Sequence, residues 1–257
     1  MDKRIGAQLY TVREYTQTAE AMEETFRKLK EIGYQTIQLS AVGPIPAEQV
    51  RMLCDKYGLE AICTHKGPKD YLENLDETIA YHKTVGCGVA GLGSMPGEYP
   101  RTAEGMRKFI KDFTPVSAAL KDAGLSFAYH NHAFEFIKDD GKFLMDILLE
   151  ESDFDLILDV YWLSFSGINP VDFIRKAGAR AKVIHFKDLA VTLGENGWDN
   201  RVEMAEVMEG NLDWDKIIAA CEDAGCLAAM VEQDICKGDP FDSLKISYDN
   251  LKTKGFC

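Results

Sequence analysis

Eight short apolar runs, each followed by a helix-like stretch, recur from one end of the chain to the other. They are IGAQLY (5–10), YQTIQLS (34–40), LEAICTH (59–65), GVAGLG (88–93), LSFAYHN (125–131), FDLILD (154–159), AKVIHFK (181–187) and LAAMVEQ (227–233). Strands this short and this apolar are buried on both faces, which a parallel sheet covered by helices provides. The segments between them carry the matching periodicity. In AEAMEETFRKLKEIG, Met22, Phe26, Leu29 and Ile32 fall on one helical face and Gly33 ends the pattern. AEQVRMLCDKYG closes on Gly58 and WDKIIAACEDAG on Gly225, where glycine suits a left-handed C-cap. Eight βα units predict an α/β chain folded as one (β/α)8 TIM barrel, a single domain over 1–257. A doubly wound open sheet is the alternative, but its first turn is normally glycine-rich and here reads TVREYT. GCGVAG (86–91) has GxGxxG spacing but leaves a helix and enters a strand, the reverse of the dinucleotide order. The longest connection, LAVTLGENGWDNRVEMAEVMEGNLDW after the seventh strand, is expected to form a lid or a pocket wall.

In such a barrel, chemistry belongs at the C-terminal ends of the strands. His65 ends the third run, His130 and His132 the fifth, and Asp159 the sixth; His185 lies near the end of the seventh and Glu232 near the end of the eighth. Of the five histidines, His82 falls in a helical stretch, so His82→Ala is expected to leave activity unchanged. The run FAYHNHAFEF (127–136) sets two histidines two apart, on one face if the strand continues. Glu135, in the loop beyond, could turn back as an acid/base group or hold a histidine from behind. Asp159, His185 and Glu232 on consecutive strands, with His130 on the strand before, form a mixed nitrogen and oxygen donor set. That set suits one divalent ion, Mn²⁺, Zn²⁺, Co²⁺ or Fe²⁺, ahead of Mg²⁺, which an all-oxygen set would favour. Singly, each has a structural explanation: Asp159 capping a turn, His185 a satisfied barrel histidine, Glu232 pairing with Lys187. Together at one end of a barrel they mark a candidate site.

Composition narrows the partners. A formal charge of −13 without a Lys/Arg cluster argues against a phosphate track for nucleic acid. No apolar run approaches the roughly 20 residues of a membrane span. MDKRIGAQLY has no signal-peptide core, and the seven cysteines are odd in number with no CxxC pair. They read as reduced packing residues in a cytoplasmic protein.

YHNHAFEF, LDVYW, HFKD, EGNLDW and VEQD, in this order on successive strands, resemble the xylose isomerase-like TIM-barrel superfamily. Within it they are similar to the sugar phosphate isomerase/epimerase group, and the HNH run resembles the inosose dehydratase-like, keto-sugar branch. The resemblance implies one divalent metal held by Glu, Asp, His and Glu from strands five to eight. Asp159, His185 and Glu232 match the last three, and His130 stands where the first glutamate is expected. That departure puts symmetric proton transfer between two glutamates in doubt, and Trp162 stands where many epimerases have histidine. The implied function is a metal-dependent isomerase or epimerase acting on a small sugar through an enediolate. A dehydratase, lyase or hydratase on a keto-sugar, keto-inositol or 3-keto-glycoside is the alternative, and a non-catalytic sugar-binding subunit a third. An apurinic-site nuclease would need more ligands than these strands offer. In this frame Glu232, His130, Glu135 and Lys187 are the candidate catalytic groups, with Lys187 able to neutralise an enolate oxygen. His65, His132, Trp162, Lys66 and Tyr10 are candidates for substrate binding: the aromatic rings to stack on a sugar, Lys66 to meet an anionic group. Members are often dimers or tetramers, so a homo-oligomer is expected.

Overall fold

A computed structural model describes residues 1–257. In chain order its strands are β1 (Ile5–Gln8), β2 (Thr36–Leu39), β3 (Glu60–Lys66), β4 (Val89–Leu92) and β5 (Ser126–His130), then the arms of a small hairpin, β6 (Lys138–Asp139) and β7 (Lys142–Phe143). They continue with β8 (Asp155–Asp159), β9 (Ala181–Phe186), the arms of a second hairpin, β10 (Asp188–Leu193) and β11 (Asn200–Ala205), and β12 (Ala228–Val231). Strands β1, β2, β3, β4, β5, β8, β9 and β12 pair in parallel and close into a barrel, β1 bonding both β2 and β12. All eight strand-like runs of the sequence are strands of this barrel. The TIM-barrel expectation therefore holds.

The barrel has two cores. Inside, Ile62, Cys63, Val89, Ala128, Ile157, Val183, Ala228 and Met230 fill the bore, so it is a packed interior and not a pore. Outside, the helices lay their apolar faces on the strands. Met22, Phe26 and Leu29 of helix Ala19–Ile32 are buried there, as their spacing requires. Space inside is tight at Gly91, where a Cβ would lie 2.2 Å from the Thr64 carbonyl oxygen and 2.6 Å from Ile157 Cδ1. Side-chain caps begin the helices at Thr18, Thr102, Asp213 and Asp239. Gly58, Gly86 and Gly225 end them in the left-handed conformation.

The connection after β9 differs from its expectation. It contains the β10–β11 hairpin, and beyond Lys187 none of the residues lining the central cavity comes from it. Asp188 organises its base. The buried carboxylate accepts hydrogen bonds from the backbone N–H groups of Leu189 (2.7 Å), Met208 (2.9 Å), Gly210 (3.2 Å) and Leu212 (3.3 Å), and from Trp214 Nε1 (2.5 Å). The last residue of HFKD and the last of EGNLDW thus bond to each other. A Cβ at Gly210 would meet Asp188 Oδ1 at 2.3 Å, so glycine lets the loop close over the carboxylate. No helix is long and apolar enough to cross a membrane.

Candidate active site

At the C-terminal mouth of the barrel, β5, β8, β9 and the end of β12 bring His130, Asp159, His185 and Glu232 together. One donor atom from each lies within 4.8 Å of all the others, and all four residues are buried. His130 Nε2 is 3.5 Å from Asp159 Oδ2, and His185 Nδ1 is 3.8 Å from the same oxygen. His185 Nδ1 is also 2.9 Å from Glu232 Oε2, off the line of a hydrogen bond.

Every member is held from behind. His130 Nδ1 donates to the Gly93 carbonyl at 2.9 Å, which leaves Nε2 as a lone-pair donor facing inward. Gln38 Oε1 accepts from His185 Nε2 at 2.9 Å and leaves Nδ1 inward. Gln8 Nε2 donates to Glu232 Oε1 at 3.0 Å, while Gln8 Oε1 accepts from Tyr10 N–H. Asp159 Oδ1 accepts from the Trp162 N–H, and Asn131 Oδ1 accepts from the Asp159 N–H. Such outer partners fix ring tautomer and ligand direction. The inward atoms His130 Nε2, Asp159 Oδ2 and His185 Nδ1 have no hydrogen-bond partner. In the metal-free protein a proton on His185 and the Lys187 ammonium offset the two carboxylates, and a divalent ion on the inward atoms would take the place of that proton. The donor set therefore fits a divalent ion.

Lys187 adds a fixed positive charge. Its Nζ lies 3.4 Å from Asp159 Oδ2, 3.4 Å from Glu232 Oε2 and 2.7 Å from Asp234 Oδ1, and the side chain is 1 % exposed. Burial opposes charge on Lys187, but Glu232, Asp159 and Asp234 outweigh it and raise its pKa. Burial likewise opposes the Glu232 carboxylate, while Lys187 and His185 hold its pKa low. At His185 burial favours the neutral ring, yet Glu232 and Asp159 lift the pKa to about 9.

The cluster opens into a cavity of about 620 Å³ lined by residues that include Gln8, Tyr10, His65, Lys66, His130, His132, Lys187, Glu232 and Asp234. Three of the five histidines line it, and His185 lies buried behind them. The His65 ring is 5.0 Å from His130 and 5.6 Å from His185, and His132 is 4.7 Å from His130. Strand β5 ends at His130, yet both histidines reach the cavity. Burial pulls the His132 pKa down to about 3 and that of His65 well below its usual value. Trp162 stands beside the cavity and not in its lining, its ring 5.5 Å from His132 and 5.4 Å from Lys187 Nζ. Glu135 is fully buried. Its carboxylate accepts from Tyr129 Oη at 2.6 Å and from the His132 N–H at 2.8 Å. Burial raises its pKa to about 7. Its place is behind His132. His82 lies away from the site, buried in helix Leu75–Val85 between the Thr64 hydroxyl and the Thr78 carbonyl.

Sequence reading passed over Gln8, Gln38, Asn131 and Asp234. A signal for Gln8 was present, a polar residue ending an otherwise apolar strand; Gln38 shares β2 with Thr36 and stands out less.

A family model described as xylose isomerase-like TIM barrel matches residues 26–237. The chain belongs to this family. Among curated relatives, it is 22 % identical over 191 residues to the inosose dehydratase of Clostridium perfringens, covering 68 % of this chain and 64 % of that protein. The chain thus spans just under two thirds of that relative's length. Among solved structures, it is similar to a sugar phosphate isomerase/epimerase from Parabacteroides distasonis, with TM-score 0.80 and 20 % identity over 100 % of this chain and 96 % of the other. It is also similar to a xylose isomerase-like TIM barrel protein from Mycobacterium smegmatis in complex with magnesium, with TM-score 0.73 and 13 % identity, covering 98 % and 97 %. These structural likenesses show the fold.

Proposed function

We propose that the chain is a divalent-metal-dependent sugar isomerase or epimerase that removes a proton beside a carbonyl and proceeds through an enediolate. The observation that carries this reading is the convergence of unpartnered donor atoms of His130, Asp159 and His185 beside Glu232, at the floor of a polar cavity. A Mn²⁺, Zn²⁺, Fe²⁺ or Co²⁺ ion held by those four residues would polarise the carbonyl and its neighbouring hydroxyl and offset enediolate charge. Glu232, ionised and steadied by Gln8, is the base. His132, neutral, presents a ring nitrogen to a substrate hydroxyl. Lys187 keeps its charge and supports the enediolate oxygen. His65, Tyr10 and Lys66 line the cavity and position the sugar. Glu135 holds the turn that carries His132.

A second reading rests on His130. Glutamate has no counterpart on β5 at the cavity, so the two sides of the site differ in chemistry. That asymmetry favours elimination of water or an alkoxyl group from a keto-sugar, keto-inositol or 3-keto-glycoside. The likeness to an inosose dehydratase supports this second reading.

Turnover in deuterated water separates the two. An isomerase or epimerase incorporates solvent deuterium beside the carbonyl without loss of mass, whereas a lyase yields an ultraviolet-absorbing enone or loses water. Glu232→Gln is expected to abolish either turnover with its melting transition intact. Wild-type-like rates in that variant would remove both readings.

A further inference from the structure

Two cations face the central cavity, and they are treated differently. Lys187 has three carboxylates around it. Lys66, at the end of β3, makes no ion pair or hydrogen bond; its Nζ stands over the Tyr81 ring, 3.6 Å from the centroid. In a chain of net charge −13, a half-buried ammonium without an anionic partner is unusual, since burial of a charge costs free energy.

Lys66 lies on a boundary. A second cavity, of about 560 Å³, shares Ala41, His65, Lys66 and Gly67 with the central one and extends away from the cluster. Its outer wall is mainly apolar, formed by Leu39, Val42, Ile45, Pro46 and Tyr81. The wall is stiff by construction. Pro44 and Pro46 fix the loop after β2, and Gly43 packs so closely that a Cβ would lie 2.0 Å from the Gln17 carbonyl oxygen. Ala41, at the boundary itself, holds φ at 52°, a strained value for a non-glycine residue of the kind found at ligand-binding sites. Asp70 also lines this side cavity, where it accepts the Gly67 N–H at 2.7 Å, and its charge disfavours an anionic occupant.

The geometry points to a two-part substrate: a sugar bound over the cluster and joined to an apolar, ring-sized aglycone that fills the side cavity, with the linking oxygen accepting a hydrogen bond from Lys66. This inference rests on the second reading above, since a glycosidic C1 offers no free carbonyl, and narrows the substrate class to keto-glycosides, for which simple glycosides serve as binding probes. A ring-sized apolar group suits the hydrophobic part of this wall, Leu39, Val42, Ile45, Pro46 and Tyr81, and the linking oxygen supplies the acceptor that Lys66 lacks.

Calorimetric titration of the full chain with phenyl β-D-glucopyranoside, methyl β-D-glucopyranoside and glucose 6-phosphate tests the assignment. The phenyl glycoside is expected to bind at least tenfold more tightly than the methyl glycoside. Val42→Trp, which fills the side cavity, should abolish that preference while the methyl glycoside binds as before; its melting transition verifies folding. Equal affinities, or binding of neither glycoside, would overturn the inference, as would the phosphate ester binding more tightly than the phenyl glycoside. Metal content measured on the same samples reports separately on the cluster, so failure of the sugar-site reading is seen independently of the glycoside ratio.

Discussion

His185 shows how much of the site is set by residues that never touch a substrate. Its ring has two nitrogens, and the Gln38 amide oxygen takes the proton-bearing one, which aims the other into the cluster. Replacing Gln38 with leucine should release the ring and weaken binding of added Mn²⁺ or Zn²⁺ by about 10–100-fold. Titration of the metal-free protein measures this; unchanged affinity would mean that the barrel wall alone orients the ring. Glu135 acts through another residue in the same way, and it carries a pH signature. Burial raises its folded pKa from 4.5 to about 7. Between those values the folded carboxyl keeps a proton that the unfolded chain has released. Its stabilising contribution is therefore full below about pH 4.5 and is lost as pH rises toward 7, up to about 3 kcal/mol in all. Glu135→Gln should lack that slope, so the stability difference between wild type and variant should change across pH 4.5 to 7. A difference flat across pH 4.5 to 7 would contradict the assignment.

At the scale of elements, the motifs divide into chemistry and architecture. HFKD supplies His185 and Lys187 to the cluster, whereas Asp188 draws the following loop around its carboxylate. Asp188→Ala would leave four backbone N–H groups and the Trp214 indole without their acceptor. The expected loss is about 3–5 kcal/mol of stability, with faster proteolysis between residues 189 and 212; thermal melting and limited digestion measure both. An unchanged melting temperature would show that water replaces the carboxylate. Sequence could not reveal this role, because an aspartate at a strand end reads equally as a ligand or a cap. The β10–β11 hairpin was missed for a related reason. DLAVTL and NRVEMA are mostly solvent-facing and lack the continuous apolar run that marks the barrel strands, and their pairing depends on the turn between them. His82 lies in helix Leu75–Val85, outside the cluster, as its sequence context suggests. Its ring is buried and hydrogen-bonded on both nitrogens, so His82→Ala is expected to cost stability, and its effect on activity is to be read only on folded protein.

Across the whole molecule, the barrel was legible because its periodicity is repeated eight times, so errors at strand ends did not accumulate. The candidate site followed from it: once the runs were strands, Asp159, His185 and Glu232 had to share one end. What the sequence did not disclose were contacts between residues far apart in the chain. Gln8 meets Glu232 and Gln38 meets His185 only because β1 closes the barrel against β12 and so brings β2 across the bore from β9. The side cavity behind Lys66 belongs to the same class, since its wall joins the loop after β2 to the helix that carries Tyr81.

The cluster is where these scales meet, and metal content of the purified protein tests it most directly. Elemental analysis should find about one equivalent of Mn, Zn, Fe or Co per chain, retained on gel filtration and lost in Asp159→Ala. A protein that carries no such metal, and takes none up when each is added in excess, would contradict the account: His130 would then have closed the site to metal, and a sugar-binding subunit would be the better description.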